Sequence, residues 1–196
     1  VTALKRTITE FYGTNSKESP DYGRIINERH CKRLIALLGT GTIAQGGEHD
    51  LSDKFIAPTI MTDVDGNSPV MAEEIFGPIL PIIKVRSIED AIDFVNDRPK
   101  PLALYVFAKD RARAKQVILN TSSGGGSINH VVMHLAVPGL PFGGVGESGM
   151  GAYHGQHSFD LFSHKKSILD KPTFVDPSLA YPPYGDFKKN VIKRLL

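Results

Sequence analysis

Ile79-Leu80-Pro81-Ile82-Ile83-Lys84-Val85 opens the stretch that decides the fold. After it come Ser87 and a stripe of Ile88, Ala91, Ile92 and Val95, then Leu102 to Ala108. Asp110 precedes Ala114, Val117 and Ile118, and Gly124-Gly125-Gly126-Ser127-Ile128-Asn129 closes the stretch. The apolar run from Ile79 to Val85 predicts a strand buried on both faces. The stripe after Ser87 has the i, i+3, i+4, i+7 spacing of a helix, with the serine as its cap. Leu102 to Ala108 reads as a further strand, Asp110 caps a second helix, and the glycine segment reads as a short strand. Strands and helices alternating in this way imply an α/β layer with a mostly parallel sheet.

Upstream, Glu28 to Leu38 reads as a helix capped by Asn27 and closed by Gly39, with Cys31, Leu34, Ile35 and Leu38 on its buried face. A turn-rich stretch follows, and Phe55 to Ile60 reads as one short strand with an edge proline. Val1, Leu4, Ile8 and Phe11 fall on one helical face with no cap before them, so the chain is expected to open inside an amphipathic helix. Downstream, helical periodicity is lost from His130 to Gly151 and glycine accumulates, which points to a long ordered loop with a function. Ser163 to Pro172 reads as a late strand or an arm. The basic, amphipathic end from Phe187 is expected to be a solvated or packed helix, with contact to an anionic membrane surface as the weaker reading.

The chain has 196 residues, 23 Lys+Arg against 21 Asp+Glu, and 41% apolar residues, values that exclude a disordered, highly charged chain. A net charge of +2 gives no case for a nucleic-acid partner. One cysteine excludes a disulfide framework within the chain. No apolar run nears the roughly 18–20 residues that span a bilayer.

Several motifs carry possible chemistry. Cys31 is the lone thiol, and its place in an apolar stripe makes it a core residue rather than a nucleophile. His130 and His134 have the i, i+4 spacing of a metalloprotease pair, but Val131 stands where the glutamate is needed, so no metal is expected. Gly144-Val145-Gly146-Glu147-Ser148-Gly149 fits G-x-G-x-x-G but sits outside a βαβ unit, so its glycines are read as permitting tight turns and close backbone approach. Glu73-Glu74-Ile75-Phe76-Gly77-Pro78 leaves two readings open. One is a carboxylate for ribose hydroxyls beside a ring for a flat heterocycle; the other is a turn with one buried Phe.

Glu73-Glu74-Ile75-Phe76-Gly77-Pro78, followed by Pro141-Phe142-Gly143-Gly144-Val145-Gly146-Glu147-Ser148-Gly149-Met150-Gly151, strongly resembles the NAD(P)-dependent aldehyde dehydrogenases. Tyr153-His154-Gly155, Phe159 to Lys166 and Tyr181-Pro182-Pro183-Tyr184 resemble its class 3 branch, which includes the fatty aldehyde and plant-type enzymes. The similarity runs from about Phe11 to Tyr184. It implies part of a catalytic α/β domain over residues 1–162, a β arm for oligomerisation over 163–172 and a tail over 173–196. It implies NAD or NADP as cofactor, an aldehyde as substrate and a homodimer formed through the arm; a cytoplasmic location is expected, with an organelle or a membrane as the alternative. By resemblance, Glu74 holds the nicotinamide ribose and Phe76 packs near the nicotinamide. Phe142 lines the aldehyde site, Asn129 shapes its floor, and His154 lies near its mouth. The family's nucleophilic cysteine and general-base glutamate belong upstream of Val1, so this chain alone is expected not to oxidise aldehydes. The alternative is a non-catalytic oligomerisation or regulatory module derived from the family.

Overall fold

The computed structural model describes residues 1–195, which form two compact units divided between Val95 and Asn96. The portion expected as one partial catalytic domain, residues 1–162, therefore spans both units. The fold class is α/β, as the sequence implies, although the strands form three small sheets.

The first unit begins with helix α1 (Thr2–Tyr12) and helix α2 (Glu28–Leu37). Asn27 caps α2 as expected, its side chain accepting from the His30 N–H at 2.9 Å. The α-helix ends at Leu37 and passes into a 3-10 turn, Leu38–Thr40, that contains Gly39, the glycine expected to stop it. Strands β1 (Thr42–Gln45), β4 (Thr59–Thr62) and β5 (Ile79–Pro81) make one sheet in the order β1-β4-β5. The β1–β4 pair is antiparallel, and β4–β5 is parallel with Thr59 opposite Ile79. Strands β2 (His49–Asp50) and β3 (Phe55–Ile56) form a separate antiparallel pair.

Cys31, Leu34 and Leu38 of α2 and its 3-10 extension pack with Ile56, Met61, Val64, Val70 and Ile79 into this unit's core. Thr59, the buried polar residue among the described residues of this unit, is satisfied: its hydroxyl donates to the Ala57 carbonyl at 2.7 Å and accepts from the Gly47 N–H at 3.0 Å. The Tyr22 hydroxyl donates to the Ile56 carbonyl at 2.7 Å, and burial pushes its pKa upward. Lys17 pairs with Asp50 at 2.7 Å and, together with Ser52, holds that carboxyl well below the usual range. Helix α3 (Ile88–Asn96) runs up to the boundary, with the Ser87 hydroxyl accepting from the Asp90 N–H at 3.0 Å.

In the second unit, strand β6 (Ala103–Val106), helix α4 (Arg111–Asn120) and strand β7 (Gly125–Ile128) form the expected βαβ step. Asp110 caps α4 by accepting from the N–H groups of Ala112 and Arg113, and Ala114 is its buried residue. The β6–β7 ladder is parallel, with Tyr105 opposite Ser127. Helices α5 (Gly155–Phe162) and α6 (Asp186–Leu195) follow.

Four expectations need correction. The strand expected over Ile79–Val85 stops at Pro81: the Ile82 N–H makes a last bond to the Met61 carbonyl at 2.9 Å, and β4 ends at Thr62 as Asp63 turns to φ 54°; Leu80 is 48% exposed rather than buried on both faces. Phe55–Ile60 is two strands broken at Pro58, each pairing with a different neighbour. The turn-rich segment after Gly39 contains β1, and α5 lies where no helix was expected. Apart from these, Ser163–Pro172, expected as a late strand or an arm, joins no ladder among the described residues.

Leu34 is fully buried at the centre of the first core. Leu34→Ala is expected to lower the stability of the folded protein by about 2–5 kcal/mol, from lost burial plus the cavity left behind. Urea denaturation reads this directly, and a loss below about 0.5 kcal/mol would place the side chain at the surface.

Candidate functional site

In the first unit the Glu73–Pro78 segment has no regular secondary structure of its own. Helix α2 holds it in two ways. Arg33 donates to the Ile75 carbonyl at 2.6 Å, and Leu34 lies so close to Gly77 that a Cβ there would sit 2.5 Å from its Cδ1. Only glycine accommodates that approach. Between these anchors Phe76 adopts φ 48° and is 82% exposed. A bulky residue at positive φ is a strained placement, held only where its surroundings determine it. Glu74 is exposed and forms no hydrogen bond or ion pair among the described residues, so both its oxygens are open as acceptors. The turn therefore presents a free carboxylate and a bare ring, and the alternative of one buried Phe does not hold.

The second unit gathers Phe142 and His154 into one ring cluster. Phe142 and Tyr153 exchange backbone hydrogen bonds at 2.8 and 2.9 Å as an isolated antiparallel bridge. Their rings meet edge-on at 5.9 Å. His154 stacks on Tyr153 at 4.8 Å and meets Phe142 edge-on at 6.3 Å. It sits at φ 103° and donates its backbone N–H to the Ser158 hydroxyl at 2.7 Å, at the start of α5. The cluster continues inward to His134, 5.8 Å from Phe142, and Tyr105, 5.7 Å beyond. Sequence reading weighed His134 only as a metal ligand and missed this contact. The available signal was its place within a glycine-rich, aromatic segment.

Asn129 takes a different part. At φ 60°, its side-chain oxygen accepts from the Ala108 N–H at 2.8 Å and its amide donates to the Ala108 carbonyl at 2.9 Å. Its backbone N–H reaches the Val106 carbonyl at 2.8 Å. The amide thus fastens the end of β7 to the end of β6, and is spent on backbone.

The glycine loop closes on itself. The Ser148 hydroxyl bonds both the N–H and the carbonyl of Val145 at 3.0 Å, and a Cβ on Gly144 would collide with the Ser148 carbonyl. The close approach expected of these glycines is to the loop's own backbone, and no helix N-terminus for a phosphate follows directly. His130 turns Nδ1 to the backbone of Val131, whereas His134 is buried. Cys31 is fully buried, and burial, followed by the charges of Asp50 and Glu28, raises its thiol pKa. A cavity of about 570 Å³ lies along β7 and the end of α4, lined by Ile118, Thr121, Ser123 and Gly126 among others; Glu74, Phe76, Phe142, Asn129 and His154 are not part of its wall.

Residues 1–168 match the model of the aldehyde dehydrogenase family. Mouse (Mus musculus) aldehyde dehydrogenase family 3 member A2 is 55% identical over 198 residues, covering 100% of this chain and 41% of that protein. Rat (Rattus norvegicus) dimeric NADP-preferring aldehyde dehydrogenase is 54% identical over 185 residues, covering 93% of this chain and 41% of that protein. The substrate-bound structure of Staphylococcus aureus AldH superposes with a TM-score of 0.85 at 49% identity, covering 99% of this chain and 43% of that one. The chain thus spans about two-fifths of the length of these relatives.

The self-closed loop has a direct test. Gly144→Ala is expected to force the Ser148 turn open, costing about 1–3 kcal/mol of overpacking, and to speed amide exchange across residues 143–152. Gly139→Ala, where a Cβ meets nothing within 4 Å, serves as the control and should leave exchange unchanged. Equal exchange in both variants would contradict the loop geometry.

Proposed function

Because the chain belongs to the aldehyde dehydrogenase family, we propose that it is the C-terminal part of an NAD(P)-dependent enzyme that oxidises aldehydes to carboxylic acids. In this reading it supplies pocket walls and cofactor contacts while the reacting sulfur comes from polypeptide preceding Val1. The observation that carries it is Cys31, the chain's one thiol, which is fully buried. Attack on an aldehyde needs an accessible thiolate, and burial pushes this thiol the other way.

Glu74 accepts hydrogen bonds from the two hydroxyls of the nicotinamide ribose. Its exposed carboxylate with open acceptors fits that task. Phe76, held outward at positive φ, offers its face to the flat nicotinamide. The cofactor, when bound, supplies the hydride acceptor. Phe142 and His154 line the aldehyde pocket from the ring cluster, and Asn129 fixes the wall behind it through Ala108. These side chains bind, orient and exclude water; none is asked to form a bond with substrate. The name of the rat relative supports both NADP use and a dimer. Ser163–Pro172, exposed over most of its length and without a ladder partner among the described residues, is free to pair with a second subunit as the arm.

Purified on its own, the 196-residue chain is expected to form no NADH from aldehyde and NAD. Turnover that survives Cys31→Ala would contradict the division of labour. In the complete subunit, Glu74→Gln is expected to weaken cofactor use by roughly 10–100-fold, as loss of hydrogen bonds to a charged acceptor does. Steady-state kinetics with NAD as the varied substrate measures this, and an unchanged KM and kcat would remove Glu74 from the cofactor site.

A further inference from the structure

We propose that His134 is a positioning residue for the aldehyde pocket, its imidazole wedged between strand β7 and the Phe142 ring so that it sets where Phe142 stands. The inference rests on the reading of Phe142 as a pocket residue. Its basis is the packing around a histidine whose chemistry is otherwise unused.

His134 is 9% exposed, and neither Nδ1 nor Nε2 has a hydrogen-bond partner among the described residues. A buried polar atom without a partner costs free energy, so an apolar side chain would serve a merely space-filling role better. What the imidazole offers is shape. Its flat five-membered ring lies against Gly125 of β7, where a Cβ would sit 3.1 Å from Cδ2 and 3.3 Å from Nε2. The slot therefore exists because position 125 has no side chain. On its other sides the ring meets Tyr105 at 5.7 Å and Phe142 at 5.8 Å.

The turn that delivers His134 is itself strained. Val132 adopts φ 62°, ψ −42°, a genuine outlier for a β-branched residue. The Leu135 N–H then bonds back to the Val132 carbonyl at 3.0 Å, so His134 is carried into the slot on a short 3-10 turn, Met133–Ala136. Backbone strain at Val132 thus delivers a buried, unpartnered imidazole against the Phe142 ring. The opposite side of Phe142 is bounded by Tyr153 and His154. The Phe142 backbone is already fixed by its bridge to Tyr153, so the side-chain angles are what His134 decides.

The test uses the complete dehydrogenase subunit carrying these residues, with a straight-chain and an aromatic aldehyde as probes. His134→Ala is expected to raise the KM for aldehyde by roughly fivefold to tenfold and to change the ratio of kcat/KM between the two aldehydes by a similar factor. The KM for NAD should stay within about twofold, a split that general loosening of the fold would not produce. Gly125→Ala pushes the imidazole toward Phe142 and should shift the same ratio. In the His134→Ala background the added methyl finds room, and the shift should vanish. If His134→Ala yields no soluble enzyme, Gly125→Ala alone decides: a changed ratio supports the wedge and an unchanged one overturns it. An unchanged ratio in folded His134→Ala overturns it as well. Phe142→Ala separates the two levels. If it leaves aldehyde kinetics untouched, the pocket reading falls and this inference with it. If it alters them while His134→Ala does not, only the inference falls.

Discussion

At Gly144 the chain folds back until the Ser148 carbonyl occupies the volume that a Cβ would take, and the loop bearing Phe142 depends on that approach. The same device recurs in the other unit, where Leu34 fills the space beside Gly77 and pins the turn bearing Glu74 and Phe76. Neither segment has a long helix or ladder to hold it, apart from the single bridge between Phe142 and Tyr153. Close packing of backbone on backbone, or of side chain on a bare Cα, replaces the missing hydrogen-bond ladder. It holds Phe76 and His154 at positive φ, angles that a looser loop would relax.

The parts of the fold that were legible in the sequence are those with local causes. Asn27, Ser87 and Asp110 accept backbone hydrogen bonds at the starts of α2, α3 and α4 as their side chains dictate. The parallel step from β6 through α4 to β7 follows from its alternating pattern. What was hidden depends on partners distant in sequence. The strand β1 is glycine-flanked and short, and exists because β4 offers it a ladder. Helix α5 opens at a glycine after a histidine at φ 103°, with its first turn secured by Ser158. Strand β5 is shorter than its apolar run implied, because its partner β4 ends at Thr62, where Asp63 turns to φ 54°.

The same distinction holds for the candidate site. Glu74, Phe76, Phe142 and His154 were named from three motifs; Glu74 and Phe76 are exposed, and Phe142 and His154 share a half-buried ring cluster. Asn129 was named too, but its amide is occupied by the Ala108 backbone, so it ties the end of β7 to the end of β6. His134 went unrecognised because its neighbours Tyr105 and Gly125 come from β6 and β7 and are joined to it only in the folded chain. Cys31 was correctly read as core from the stripe in which it lies.

We propose one division of chemistry, in which this polypeptide grips the cofactor's sugar and walls the pocket while the reacting thiol lies elsewhere. A crystal structure of the complete subunit with NAD bound tests it most directly. The Glu74 carboxylate should lie about 3 Å from both hydroxyls of the nicotinamide ribose, at hydrogen-bond distance, with the Phe76 ring against the nicotinamide. A ribose held by other groups, with Glu74 turned to solvent, would contradict it.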